Sequence, residues 1–105
     1  MVNALEEKKG EDILLLDIRA VAPLADYFVI CSGTSDRMLD GLIDAVQRDV
    51  KSKHHIKPRV EGTSRDGWVL ADYGDVIVHL FSPDKRDFYR LEELWDQGKI
   101  MLHLQ

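Results

Sequence analysis

The stretch GWVLADYGDVIVHLF, from Gly67 to Phe81, alternates in character with a period of two on both sides of a Gly-Asp pair. That pattern constrains the fold more than any other part of the chain, because it reads as a β-hairpin with a two-residue loop. Glycine at the first loop position supplies the positive φ that a type II′ turn requires, so Gly74 and Asp75 are predicted to form the loop. Tyr73 then faces Val76, Asp72 faces Ile77, Leu70 faces His79 and Trp68 faces Phe81. Opposite residues share a face, and the face alternates along each strand. One face carries Val69, Ala71, Tyr73, Val76, Val78 and Leu80, which should meet the core. The other carries Trp68, Leu70, Asp72, Ile77, His79 and Phe81, a mixed set that needs an explanation of its own.

Around this hairpin the pattern predicts strands over Glu11–Arg19 and Asp26–Gly33, a short strand over Lys57–Gly62, and an amphipathic helix through TSDRMLDGLIDAVQRDVKSKH. In that helix Met38, Leu39, Leu42, Ile43, Val46 and Val50 recur at helical spacing. Thr34 or Ser35 can cap its start, and Lys51, Lys53 and His54 suit the negative end of its dipole. ALEEKKG near the N-terminus looks like the last turns of another helix, stopped by Gly10. Ser82 before Pro83 predicts a third helix start, on which Phe88, Leu91, Leu94 and Trp95 share an arc that Tyr89 does not join.

The chain has 105 residues, enough for one domain, taken as residues 1–105. With 45% hydrophobic and 31% charged residues it has the composition of a globular domain. No run approaches the roughly 20 apolar residues of a membrane span, and no signal-peptide pattern opens the chain, so no membrane role and a cytosolic or organelle-matrix location are expected. Cys31 is the single cysteine and sits in an apolar run, which predicts a buried packing residue. The net charge of −5 argues against wide, non-specific phosphate binding and suits a partner with a basic surface.

Three chemistries can be weighed against these residues. Asp72 and His79 are diagonal neighbours on one strand face, about 7 to 8 Å apart, and could be half of a nucleophile triad; no Gly-x-Ser-x-Gly elbow supplies the third member. Two metal-binding carboxylates on one strand face need even spacing, whereas Asp72 and Asp75 are three apart. His54 and His55 are adjacent, so on a helix they diverge by about 100°. SGTS before a helix resembles a phosphate-binding turn, but its residues also serve as caps. The remaining reading is a docking surface: Trp68, the hairpin tip from Asp72 to Asp75, and Tyr89 place large aromatics beside acids, in keeping with interface composition. Trp68 could equally pack under a helix on its face.

LADYFVICSGTSDRMLDGLIDAV, VEGTSRDGWVLADYGDVIVHLF and RDFYRLEELW, in that order over residues 5–96, resemble the ribosomal silencing factor family, also called the Iojap family. The resemblance implies an α/β (α+β-like) domain with a mixed five-stranded sheet flanked by helices, distantly nucleotidyltransferase-like but without catalytic acids. It implies a translational repressor that is not an enzyme and takes no cofactor or metal. Its partner would be the large ribosomal subunit, chiefly ribosomal protein fourteen, with little or no direct RNA contact. Binding there would block association with the small subunit and lower translation under nutrient limitation. A homodimer off the ribosome and a bacterial cytoplasm or organelle matrix fit the same resemblance. The family's docking surface maps onto Trp68, Asp72, Tyr73, Gly74, Asp75 and Tyr89: the aromatics as anchors, the acids facing basic groups or holding the turn, Gly74 for backbone shape. The N-terminal helix is shorter than in the family, and DQGKIMLHLQ matches nothing in it firmly. Two alternatives remain: a ribosome assembly factor contacting RNA through Lys51, Lys53, Lys57 and Arg59, and a degenerate nucleotidyltransferase using SGTS and Asp72.

Overall fold

The structure is a computed structural model that describes residues 1–20, 25–90 and 99–104, with backbone alone for Phe88, Tyr89 and Lys99. The elements in chain order are α1 (Val2–Glu7), β1 (Glu11–Asp17), β2 (Tyr27–Ser32), α2 (Asp36–His54), β3 (Arg59–Thr63), β4 (Trp68–Asp72), β5 (Val76–Phe81), α3 (Pro83–Tyr89) and β6 (Lys99–Leu104). The strands form one sheet in the order β3-β4-β5-β2-β1-β6. Only β2 and β5 pair in parallel, and the other four pairings are antiparallel.

The hairpin register is the one the alternation predicts: Trp68 opposes Phe81, Leu70 opposes His79 and Asp72 opposes Ile77. Its aliphatic face joins the core under α2, where Leu39, Leu42, Ile43, Val46 and Val50 meet Val69, Ala71, Val78 and Leu80. The mixed face has a core of its own, in which Ile77 and Phe81 join Leu14, Leu16, Ile18, Phe28 and Ile30, with Trp68 and Leu70 packed against them. Strand β2 is therefore buried on both sides, which is why its sequence is a continuous apolar run without alternation.

The sheet has six strands where five are expected. The sixth, β6, comes from the C-terminal tail and pairs with β1, Leu15 opposite Leu102. Its residues show no usable periodicity, and Ile100, Met101 and Leu102 are exposed on the sheet edge. Only a pairing partner far away in sequence makes this segment a strand.

The helix ends follow local chemistry. The Ser35 hydroxyl accepts from the Met38 amide, and the Ser82 hydroxyl from the Lys85 amide. At the end of α1 the left-handed residue is Lys9, φ 63°, and not the expected Gly10. The Lys9 amide donates to the Glu6 carbonyl and the Gly10 amide to the Leu5 carbonyl, the two bonds of a Schellman stop. Gly10 is instead a packing requirement, since a Cβ there would lie 2.5 Å from Cys31 Sγ. Cys31 is fully buried as expected, and burial pushes its thiol up to about 12. The arc from Phe88 through Leu91 and Leu94 to Trp95 lies outside the described side chains.

Candidate docking surface

The β4–β5 hairpin presents two patches, one at each end. At the turn, Gly74 has φ 87° and is exposed, as is Asp75. Asp72 does not reach out: its Oδ1 accepts from the Gly74 amide at 2.8 Å and closes an Asx turn. The Tyr73 amide donates to the Val76 carbonyl at 2.9 Å. The Asp75 carbonyl accepts from the amides of Asp26 and Tyr27, at 2.8 and 3.1 Å. The tip is thus tied both to itself and to the start of β2, so it projects as a fixed shape. Tyr73 packs half-buried against the α2-side core. Burial, with the charge of Asp49 adding to it, raises the pKa of its phenol.

At the other end of β4, about 13 Å away by strand rise, Trp68 lies on the opposite sheet face. Its ring stacks on Phe81 with centroids 5.1 Å apart, and its indole N–H donates to His79 Nδ1 at 3.3 Å. An open groove of about 670 Å³ runs beside it, lined by Glu61, Gly62, Arg65, Asp66, Trp68, Leu70 and Lys85. Both readings of Trp68 are therefore realised: one side of the ring is packing, and the half-buried remainder borders the groove. Sequence reasoning missed Arg65 and Lys85, whose nearness to Trp68 depends on the turn at Ser64–Asp66 and on the start of α3. Tyr89 ends α3, and its side chain lies outside the described residues.

His79 is 5% exposed, in edge contact with Phe28 at 4.7 Å. Because an indole can only donate, Nδ1 is the acceptor and the ring proton sits on Nε2, which has no partner among the described residues. Burial pushes its pKa down to about 4. Asp72, the acid of the hypothetical catalytic pair, spends its carboxylate on the turn, and His79 spends Nδ1 on Trp68. No group of three metal-ligating side chains occurs among the described residues, and no described helix is long and apolar enough to cross a membrane.

Fold and site together describe a small α/β domain that offers a shaped hairpin and a mostly charged groove bordered by Trp68 as surfaces. Comparison with known proteins gives this class a name: the family described as ribosomal silencing factor during starvation matches residues 1–104, and the chain belongs to it. The chain is 39% identical over 97 residues to the ribosomal silencing factor RsfS of Bacillus subtilis (strain 168), covering 92% of this chain and 82% of that one. It is 35% identical to the mouse protein named mitochondrial assembly of ribosomal large subunit protein 1, covering 90% of this chain and 43% of the relative. A crystal structure of a Chromobacterium violaceum protein superposes with a TM-score of 0.86 at 37% identity, covering 90% of this chain and 79% of that one.

Proposed function

We propose that this silencing factor is a non-catalytic repressor that binds the large ribosomal subunit through ribosomal protein fourteen and sterically blocks joining of the small subunit. The observation that carries the reading is the tied hairpin: a tip held by its own Asx turn and by β2, with a groove bordered by Trp68 at its far end. A standard interface of about 800 Å² per partner is wide enough to take in both patches. Trp68 and Tyr89 are its apolar anchors, Asp75 meets a basic group, and Asp72, Tyr73 and Gly74 hold the shape of the tip. The compartment this implies is the bacterial cytoplasm, and lowered translation under nutrient limitation is its consequence.

Sedimentation of purified large and small subunits tests the proposal. The parent chain should lower the joined fraction, and Asp75→Arg, which reverses an exposed charge without touching the core, should restore it. If the parent binds large subunits but leaves joining unchanged, occlusion is wrong. The assembly role, which the mouse relative's name favours, then takes its place.

A further inference from the structure

The segment VKSKHHIKPRV, from Val50 to Val60, takes no part in either patch. Four of the chain's 14 basic residues fall in it, at Lys51, Lys53, Lys57 and Arg59, and none of the 19 acids does. It comprises the last turn of α2, the left-handed cap at His55 and the start of the edge strand β3. Lys51, Lys53, His54, His55, Ile56, Lys57 and Arg59 are all exposed. Lys53 is held by Asp49 at 2.8 Å and Arg59 by Glu61 at 3.3 Å. Lys51 and Lys57 form no ion pair among the described residues.

Helix stabilisation explains only part of this. A cation interacts with the helix dipole within the last turn, which covers Lys51, Lys53 and His54. Lys57 and Arg59 lie beyond it. The stretch also sits beside the hairpin tip, because Arg59 is the cross-strand partner of Asp72.

From this segregation of charge we infer that the α2–β3 ridge is an RNA-contacting surface that takes a few consecutive backbone phosphates. A chain of net charge −5 is repelled by a polyanion unless it turns a basic side toward it, and a local basic patch both orients the approach and recovers affinity by releasing counterions. Lysine supplies rotatable point charges suited to phosphates, and the two exposed imidazoles add donors or flat faces for a base. The ridge is backbone at a helix end and a strand edge, and none of its residues lines either described groove. Diffuse phosphate binding suits that shape better than capture of an acidic protein segment. Such contact would go beyond the little or no direct RNA contact that the family resemblance implies. Its adjacency to the docked hairpin rests on the proposed function, whereas the RNA contact itself does not.

The test uses the full chain and a fluorescein-labelled RNA stem-loop, followed by anisotropy between 50 and 200 mM KCl, values chosen as about the range where counterion release dominates. Lys57→Glu and Arg37→Glu make the same charge change, Arg37 in the first turn of α2 and Lys57 just past its last turn, with about 26 Å of helix between Arg37 and His54. The expected result is parent binding that weakens with salt, a loss of roughly tenfold in Lys57→Glu, little change in Arg37→Glu, and a salt slope lower by about two in Lys51→Glu/Lys57→Glu. Equal loss in Lys57→Glu and Arg37→Glu would overturn the inference, since net charge alone would then explain it. So would absence of RNA binding at 50 mM KCl. If purified large subunits nevertheless lose affinity for Lys51→Glu/Lys57→Glu, the ridge meets an acidic protein and not RNA. Asp75→Arg, run in parallel, should leave RNA-stem binding intact while abolishing the block on subunit joining, which separates failure of the ridge from failure of the docking hairpin.

Discussion

The indole N–H of Trp68 donates to Nδ1 of His79 across the β4–β5 pair, joining the only buried histidine among the described residues to the aromatic that borders the groove. That bond requires a neutral imidazole, because protonation of Nδ1 would place two donors face to face.

Stability should therefore fall on mild acidification. The folded pKa of His79 is about 4, below the usual histidine value of 6.5, so between these values the unfolded chain binds more protons and stability rises with pH. Lowering the pH from 7.5 to 5 should cost about 2 kcal/mol through His79 alone. Urea midpoints of the parent and of His79→Leu at both pH values check this. The parent should lose more stability than the variant, and equal losses would mean that His79 does not titrate in this window.

Trp68 is expected to separate packing from docking. Trp68→Phe keeps the stack on Phe81 and should lower stability by only about 1 kcal/mol, the usual value of one hydrogen bond. Trp68→Ala removes the stack and should lower it by about 2 to 3 kcal/mol, less than a fully buried aromatic because the residue is only partly buried. If Trp68 is an interface hot spot, Trp68→Ala also weakens large-subunit binding by about 2 kcal/mol or more, measured where the variant remains folded. Unchanged binding in a folded Trp68→Ala protein would reduce the residue to packing.

The hairpin tip allows backbone strain to be read without steric interference, because a Cβ at Gly74 would meet nothing within 4 Å. With φ at 87°, Gly74→Val should cost about 2 kcal/mol and Gly74→Asn about half of that, since asparagine enters the left-handed region more readily. Asp72→Ala, which deletes the bond to the Gly74 amide, should cost about 1 kcal/mol. Thermal melts of the three variants give the ranking, and a Gly74→Val protein as stable as the parent would show that the turn is assigned wrongly.

Gly10 and Cys31 should behave as a coupled pair. Gly10→Ala forces a methyl to within 2.5 Å of Sγ and should destabilise by about 1 to 3 kcal/mol through overpacking. In the Cys31→Ala background much of that cost should vanish, giving a coupling energy of about 1 kcal/mol or more. Additive effects would place the strain instead against the Leu5 carbonyl, 3.1 Å from the same Cβ.

The parts of this fold that sequence determined are those governed by neighbours. The hairpin register follows from a period of two around a glycine able to take positive φ, and the structure reproduces the predicted pairs Trp68–Phe81, Leu70–His79 and Asp72–Ile77, with the Tyr73 amide bonded to the Val76 carbonyl. The span of α2 follows from apolar spacing, the Ser35 cap and the cationic last turn. The predicted strand at Lys57–Gly62 lies at Arg59–Thr63, shifted because an exposed edge strand carries no buried face to fix its limits. The sequence proposes Trp68, Asp72, Tyr73, Gly74, Asp75 and Tyr89 as a docking set, but the arrangement of the described ones was not legible in it.

Tertiary structure decided the rest, where a feature depends on a partner distant in sequence or on which of several near neighbours a side chain takes. β6 is a strand only because β1 offers it an edge. The mixed hairpin face joins a core because Phe28 and Ile30 of the parallel neighbour β2, in register with Ile77 and His79, continue the same apolar face. Nothing local says whether the carboxylate of Asp72 goes to His79 or to the turn, and nothing local pairs the imidazole with Trp68. Alternation assigns a side chain to a face, but the path of the chain determines what that face meets, which is why the two ends of one hairpin became separate patches.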